Sequence, residues 1–237
     1  MIQKLKVAIL IGGPSAEHEV SLKTGEMVFE ALDKNKYETK KIIISKNGRW
    51  PISLIALKNS FDLVFNAMHG EYGEDGAIQE ILEKNKIPYT GSGSKASKLG
   101  MDKVASYKIF QKSKILYPKF TVKRNFMSVK KLNLPLVVKP VDRGSSVGVN
   151  IIDDWSSFNK ALEKSLKYSP NVMFQEYIKG RELTCGILEI IKSKKRKLIA
   201  LAPAEIIPPE NKFFDYEAKY IAGISREITP PDLSAKI

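Results

Sequence analysis

The chain has 237 residues, is 43% hydrophobic, and carries 39 Lys and Arg against 26 Asp and Glu, a formal charge of +13. It is long and apolar enough to bury a core in two domains or three, which excludes a disordered chain. No run approaches the roughly 18 apolar residues of a membrane span, and Met1-Ile2-Gln3-Lys4 leads into a strand-like run without a cleavage site, so a cytoplasmic protein is expected.

Lys6 to Ile11 is a continuous apolar run, the pattern of a strand buried on both faces, and Gly12-Gly13-Pro14 ends it. Leu22, Val28, Phe29 and Leu32 then follow helical spacing. Strands over Ile42–Ser45 and Asp62–Asn66, a helix with Ile78, Ile81 and Leu82 on one face, and Pro88-Tyr89-Thr90 complete an alternating βαβ pattern. Residues 1–92 therefore read as an open parallel α/β domain.

Gly91-Ser92-Gly93-Ser94 reads as a flexible joint. A single helix with Met101, Val104, Ala105 and Ile109 on one side is expected next. Strands at Leu136–Val138 and Val149–Ile152, a helix around Trp155–Lys167 and a strand at Val172–Tyr177 give residues 93–179 an α+β texture. Further strands are expected at Glu182–Ile191 and Lys197–Ala202. The basic run from Lys192 to Arg196 between them reads as a solvated hairpin turn, since no aromatics interleave for base stacking. The lone cysteine, Cys185, excludes an internal disulfide, and its apolar run, Leu183 to Leu188, reads as a buried strand. Phe213 to Tyr220 is too irregular for a core element and reads as a covering loop.

Ser15-Ala16-Glu17 stands at a helix entrance. There Glu17 either caps the helix or grips a substrate ammonium. His69, between Met68 and Gly70, follows the third strand at the sheet edge where open α/β folds bind ligands. It is either structural or a contact for a substrate carboxylate, and the acids in Glu71-Tyr72-Gly73-Glu74-Asp75-Gly76 are either functional or helix caps. Lys139-Pro140 ends a strand, and Asp142-Arg143-Gly144-Ser145-Ser146-Val147-Gly148 turns back, either as a hairpin or as a phosphate-covering flap. No Walker loop occurs, which excludes a P-loop NTPase, and Gly91-x-Gly93-x-x-Ala96 lacks the strand that a dinucleotide fingerprint requires.

In this order, four strings resemble the D-alanine:D-alanine ligases of the ATP-grasp superfamily: Gly12 to Ser21; His69-Gly70 with Gly73-Glu74-Asp75-Gly76; Lys139-Pro140 with Gly144-Ser145-Ser146-Val147-Gly148; and Tyr216-Glu217-Ala218-Lys219-Tyr220. The resemblance implies an N-terminal α/β domain followed by an ATP-grasp fold, with residues 180–237 an incomplete third part carrying a lid at about 205–222. It implies that Glu17 holds the first D-alanine's ammonium, with Ser145 and Tyr220 bonded to it, and that His69 lies near that substrate's carboxylate. Lys103, Lys139, Ser146 and Lys219 would meet ATP phosphates. Gln175, Glu176, Tyr177 and Ile178 would line the adenine, and Glu182 would accept from the ribose.

The implied reaction forms D-alanyl-D-alanine through an acyl phosphate, for peptidoglycan synthesis. ATP and Mg²⁺ or Mn²⁺ are the implied cofactors. A homodimer, and no nucleic-acid or membrane partner, is expected. The family places its metal ligands and a phosphate-stabilising arginine beyond the lid, past Ile237, so metal ligands are expected to be absent from this polypeptide and the chain alone to be inactive or nearly so. Another ATP-grasp carboxylate–amine ligase, or a non-catalytic nucleotide-binding remnant, is the alternative.

Overall fold

The computed structural model describes residues 3–192, 195–209, 216–221 and 223–233. Residues 193–194 of the expected hairpin turn and 210–215 and 222 of the expected lid lie outside them. In the first part, β1 (Leu5–Gly12) leads through α1 (His18–Ala31) to β2 (Tyr37–Ile44), then α2 (Leu54–Ser60), β3 (Leu63–Asn66) and α3 (Ala77–Lys84). The three strands form a parallel sheet in the order β2-β1-β3. Six consecutive buried residues of β1, Val7 to Gly12, account for its unbroken apolar run.

Alternation along β1 divides the core between the two faces of this sheet. Ala8 and Leu10 pack with Ile44, Leu57, Val64, Ile78 and Leu82; Val7, Ile9 and Ile11 pack with Leu22, Val28 and Phe29 of α1. Gly25 lets α1 approach closely, because a Cβ there would lie 2.0 Å from Ile11 Cγ2. The helix α2 was not foreseen, although Ser53 caps it by accepting from the Ala56 N–H.

Beyond the glycine joint, the one helix expected is two, α4 (Ser94–Met101) and α5 (Lys103–Lys112). Asp102 separates them. Its backbone is extended and its carboxylate accepts from the Ala105 N–H at 3.0 Å, so it starts a new helix instead of continuing the old one. There follow β4 (Phe120–Thr121), α6 (Phe126–Val129), β5 (Leu136–Pro140), β6 (Asn150–Ile152), a 3₁₀ turn at Trp155–Ser157, α7 (Phe158–Leu166) and β7 (Val172–Glu176). The strands make an antiparallel sheet in the order β4-β7-β5-β6. Leu136, Val138, Val172 and Phe174 pack against Phe158 and Ala161 of α7.

The strand expected over Glu182–Ile191 is also two, β8 (Glu182–Thr184) and β9 (Ile187–Lys192), followed by β10 (Lys195–Ala200), β11 (Ala204–Ile207), α8 (Tyr216–Tyr220) and β12 (Arg226–Ile228). β8 joins the sheet β12-β11-β8 while β9 pairs only with β10, so the chain breaks at Cys185-Gly186 to change sheets. Cys185 is consequently exposed and not in a buried strand. Residues 216–220, expected as open loop, form a short helix. Among the described residues no helix is long and apolar enough to cross a membrane.

Candidate active site

Gly12 and Gly13, at φ of +85° and +93°, turn the chain from β1 toward α1 and bring Ser15 and Glu17 against the loop after β3. Ser15 Oγ donates to the His69 carbonyl at 2.7 Å and accepts from the Glu17 N–H at 3.0 Å. Glu17 stands at the N-cap of α1 but makes no side-chain capping bond. Its carboxylate, in a residue only 2% exposed, accepts instead from Ser145 and, at 2.5 Å, from the Tyr220 hydroxyl. Ser145 Oγ and Tyr220 Oη are 2.6 Å apart. Burial, and then the bond to Glu17, raises the Tyr220 phenol above its usual range.

Gly70 closes this triangle from behind. Its φ is +68°, and a Cβ there would lie 2.6 Å from Glu17 Oε2. The His69 ring turns away from the triangle: Nε2 is 2.8 Å from Thr24 Oγ1 on α1, and the residue borders a separate cavity of about 740 Å³ with Met27, Val28 and Phe65. Glu74 accepts from the Gly70 N–H at 2.7 Å and so fixes the loop.

On the far side of Ser145 a cleft of about 520 Å³ opens between the β4-β7-β5-β6 sheet and the end of α8. It gathers Lys103, Lys139, Ser146, Gln175, Tyr177, Ile178, Glu182 and Lys219. Glu176 is not in its lining; that carboxylate accepts from the Lys119 N–H at 2.8 Å. Ser145 and Ser146 are consecutive left-handed residues, φ +50° and +60°. Successive residues in such turns aim their N–H groups into a concavity that suits an anion.

The cations of the cleft are poorly solvated. Lys103 donates to the carbonyls of Arg143 (2.6 Å) and Val141 (3.2 Å), and burial lowers its pKa to about 8. Burial, and next the Lys103 charge, lowers Lys139 to about 8. Lys219 is also lowered by burial, against the pull of Glu17 and Glu182. A polyanion between these ammonium groups would relieve both burial and mutual repulsion.

Three contacts escaped sequence reasoning. Arg143 Nε is 2.5 Å from Glu71 Oε1, Thr24 holds His69, and the Tyr107 hydroxyl donates to Gln175 Oε1 at 2.8 Å. Arg143 and Glu71 lie inside quoted motifs, yet only the fold shows that they meet. Thr24 and Tyr107 occupy ordinary helical positions and carry no signal. Among the described residues no group of three or more His, Cys, Asp or Glu is gathered to hold a metal, so these residues do not fit the metal ion.

The family model "D-ala D-ala ligase C-terminus" matches residues 96–237, and "D-ala D-ala ligase N-terminus" matches 6–59 and 52–92. The chain belongs to the D-alanine–D-alanine ligase family. The D-alanine–D-alanine ligase of Geotalea uraniireducens (strain Rf4) is 39% identical over 236 residues, covering 98% of this chain and 72% of that protein. Among solved structures, D-alanyl-alanine synthetase A of Vibrio cholerae aligns with a TM-score of 0.81 at 26% identity, over 100% of this chain and 77% of that one. The D-alanine–D-alanine ligase of Bacillus anthracis complexed with ATP aligns with a TM-score of 0.73 at 31% identity, over 98% and 72%. As a member of the D-alanine–D-alanine ligase family the chain is of the ligase class, and its mixed fold is that of ATP-grasp ligases.

Proposed function

We propose that this chain binds one D-alanine at Glu17 and ATP in the adjoining cleft, for the ATP-dependent ligation of two D-alanines into a peptidoglycan precursor. The observation that carries this is the double membership of Ser145, which bonds the buried Glu17 carboxylate and also lines the lysine-rich cleft. An ammonium held at Glu17 thereby sits beside a place for a triphosphate.

In this reading residues 1–92 supply the substrate domain, 93–179 and 180–237 clasp the nucleotide, and 205–222 form the lid. The carboxylate of the first D-alanine attacks the γ-phosphorus, and ADP leaves. The amine of the second D-alanine attacks the acyl carbon of the resulting acyl phosphate, expels phosphate and loses a proton. The chain contributes position and charge: Glu17, Ser145 and Tyr220 fix the first substrate, while Lys103, Lys139, Ser146 and Lys219 neutralise phosphate oxygens. Gln175, Tyr177 and Ile178 take the adenine, Glu182 the ribose, and Glu176 belongs to the hinge by its backbone. For His69 to meet the substrate carboxylate its ring would have to leave Thr24. A cytoplasmic setting and a homodimer complete the reading, with Mg²⁺ or Mn²⁺ accompanying the ATP and not held by a cluster of the described residues.

The test is phosphate release with ATP, Mg²⁺ and D-alanine, from this chain and from a version extended past Ile237. D-alanine-dependent turnover is expected from the extended version. Equal turnover with L-alanine, or none in either protein, overturns the proposal.

A further inference from the structure

Between Lys103 and Val141 the chain contains ten Lys and Arg and no Asp or Glu. Lys103 and Lys139 serve the cleft. The other eight, from Lys108 to Lys131, are exposed, and none forms an ion pair with a described residue. Glu176 is an acid that touches this segment, through the Lys119 backbone. Most of the molecule's excess charge is thus placed on one unneutralised stretch.

Apolar side chains are set among these cations. Leu116 is 97% exposed and Ile115 53%, between Lys112, Lys114 and Lys119, while Val122, Phe126 and Met127 are exposed further along. A lone surface leucine requires no explanation, but an aliphatic pair on a loop tip flanked by lysines is a different pattern. The tip is also built. Lys114 adopts φ +57°, the Ile115 N–H donates to the Phe110 carbonyl at 2.8 Å, and the Tyr107 ring packs tilted against Tyr117 (5.3 Å) and edge-on to Phe120 (5.2 Å). These contacts take up the inward side of the loop and hold Leu116 outward.

We infer that the loop Ser113–Pro118, with the lysines around it, is a peripheral docking surface for an anionic lipid bilayer. Aliphatic tips enter the boundary between headgroups and acyl chains, and lysines meet lipid phosphates. A nucleic acid would use the cations but not the aliphatic pair, and the aromatics of this segment are engaged, Tyr117 with Tyr107 and the partly exposed Phe126 edge-on with Trp155 and Phe158. This departs from the expectation of no membrane partner, which rested on the lack of an apolar span; a surface contact requires none.

Co-sedimentation with vesicles of phosphatidylcholine alone, and of phosphatidylcholine with phosphatidylglycerol, tests it. Retention on the anionic vesicles only is expected, weakened roughly tenfold or more by Ile115→Asp with Leu116→Asp. Lys112→Glu with Lys114→Glu should weaken it as well, and ATP affinity should be unchanged in both variants, which shows that they fold. No retention, retention unchanged by the aspartates, or equal retention on neutral vesicles overturns the proposal. So does duplex DNA that displaces the anionic vesicles and binds the aspartate variant as well as it binds the parent.

Discussion

Arg143 and Glu71 are paired at 2.5 Å, which ties the turn after β5 to the loop after β3 two residues from Ser145 on one side and two from His69 on the other. Both side chains are partly exposed, so the pair adds about 1 kcal/mol or less to stability. Its effect falls on alignment. Glu71→Gln or Arg143→Gln should raise the KM for D-alanine about fivefold with little change in melting temperature, and the reversed pair, Glu71→Arg with Arg143→Glu, should recover most of that loss. Steady-state kinetics on the four proteins, each in the version extended past Ile237, decide it. A reversed pair no better than the singles would show that the charges do not act together.

The buried triangle gives a larger expectation. Glu17→Gln keeps the shape and removes the charge, and should weaken D-alanine binding by about 30-fold or more, whereas Tyr220→Phe removes one hydroxyl and should cost about tenfold. Calorimetric titration with D-alanine in the presence of ADP measures both. Unchanged affinity in Glu17→Gln would place the ammonium elsewhere.

Lys103 and Lys139, each lowered to about 8, act in opposite directions on stability and on binding. Below pH 8 folded and unfolded chains both hold these protons and burial destabilises the fold in full. From pH 8 to about 10.5 the unfolded chain binds more protons, so the stability of the unliganded protein rises with pH through these groups. Affinity for ATP should fall over the same interval as the ammoniums are lost. Dissociation constants at about pH 7 and about pH 9.5 check this, and Lys139→Met should flatten the profile. An affinity constant across that range would contradict it.

Gly70→Ala places a methyl group 2.6 Å from Glu17 Oε2 at a backbone angle that side chains avoid. A loss of about 1–2 kcal/mol in stability is expected, together with D-alanine binding weakened as in Glu17→Gln. Chemical denaturation and titration separate the two effects. Strain without loss of binding would mean that the carboxylate can move aside.

Much of this architecture was legible where one physical rule dominated. The unbroken run in β1 and the turn at Gly12-Gly13 admit few readings, and the turn between β5 and β6 declared itself through glycines beside serines and cations. Asp102 misled because a helix cap and a helix interior differ only in what precedes them. Cys185 misled because an apolar run does not reveal a change of sheet partway along. The meeting of Glu71 with Arg143 was invisible for another reason: nothing local distinguishes either residue from a solvated charge until the fold brings them within reach.

The triangle of Glu17, Ser145 and Tyr220 joins positions separated by 128, 75 and 203 residues. Contacts that span so much chain form late, after the local cores that position them, because loop closure must come before the bonds can. During synthesis the β2-β1-β3 sheet and its helices can therefore collapse while the rest is still unmade, but the triangle assembles in two stages. Ser145 can reach Glu17 first, and only when Tyr220 has emerged is the set complete, so nascent chains that end before Ser145 carry a folded domain whose Glu17 has neither hydroxyl partner.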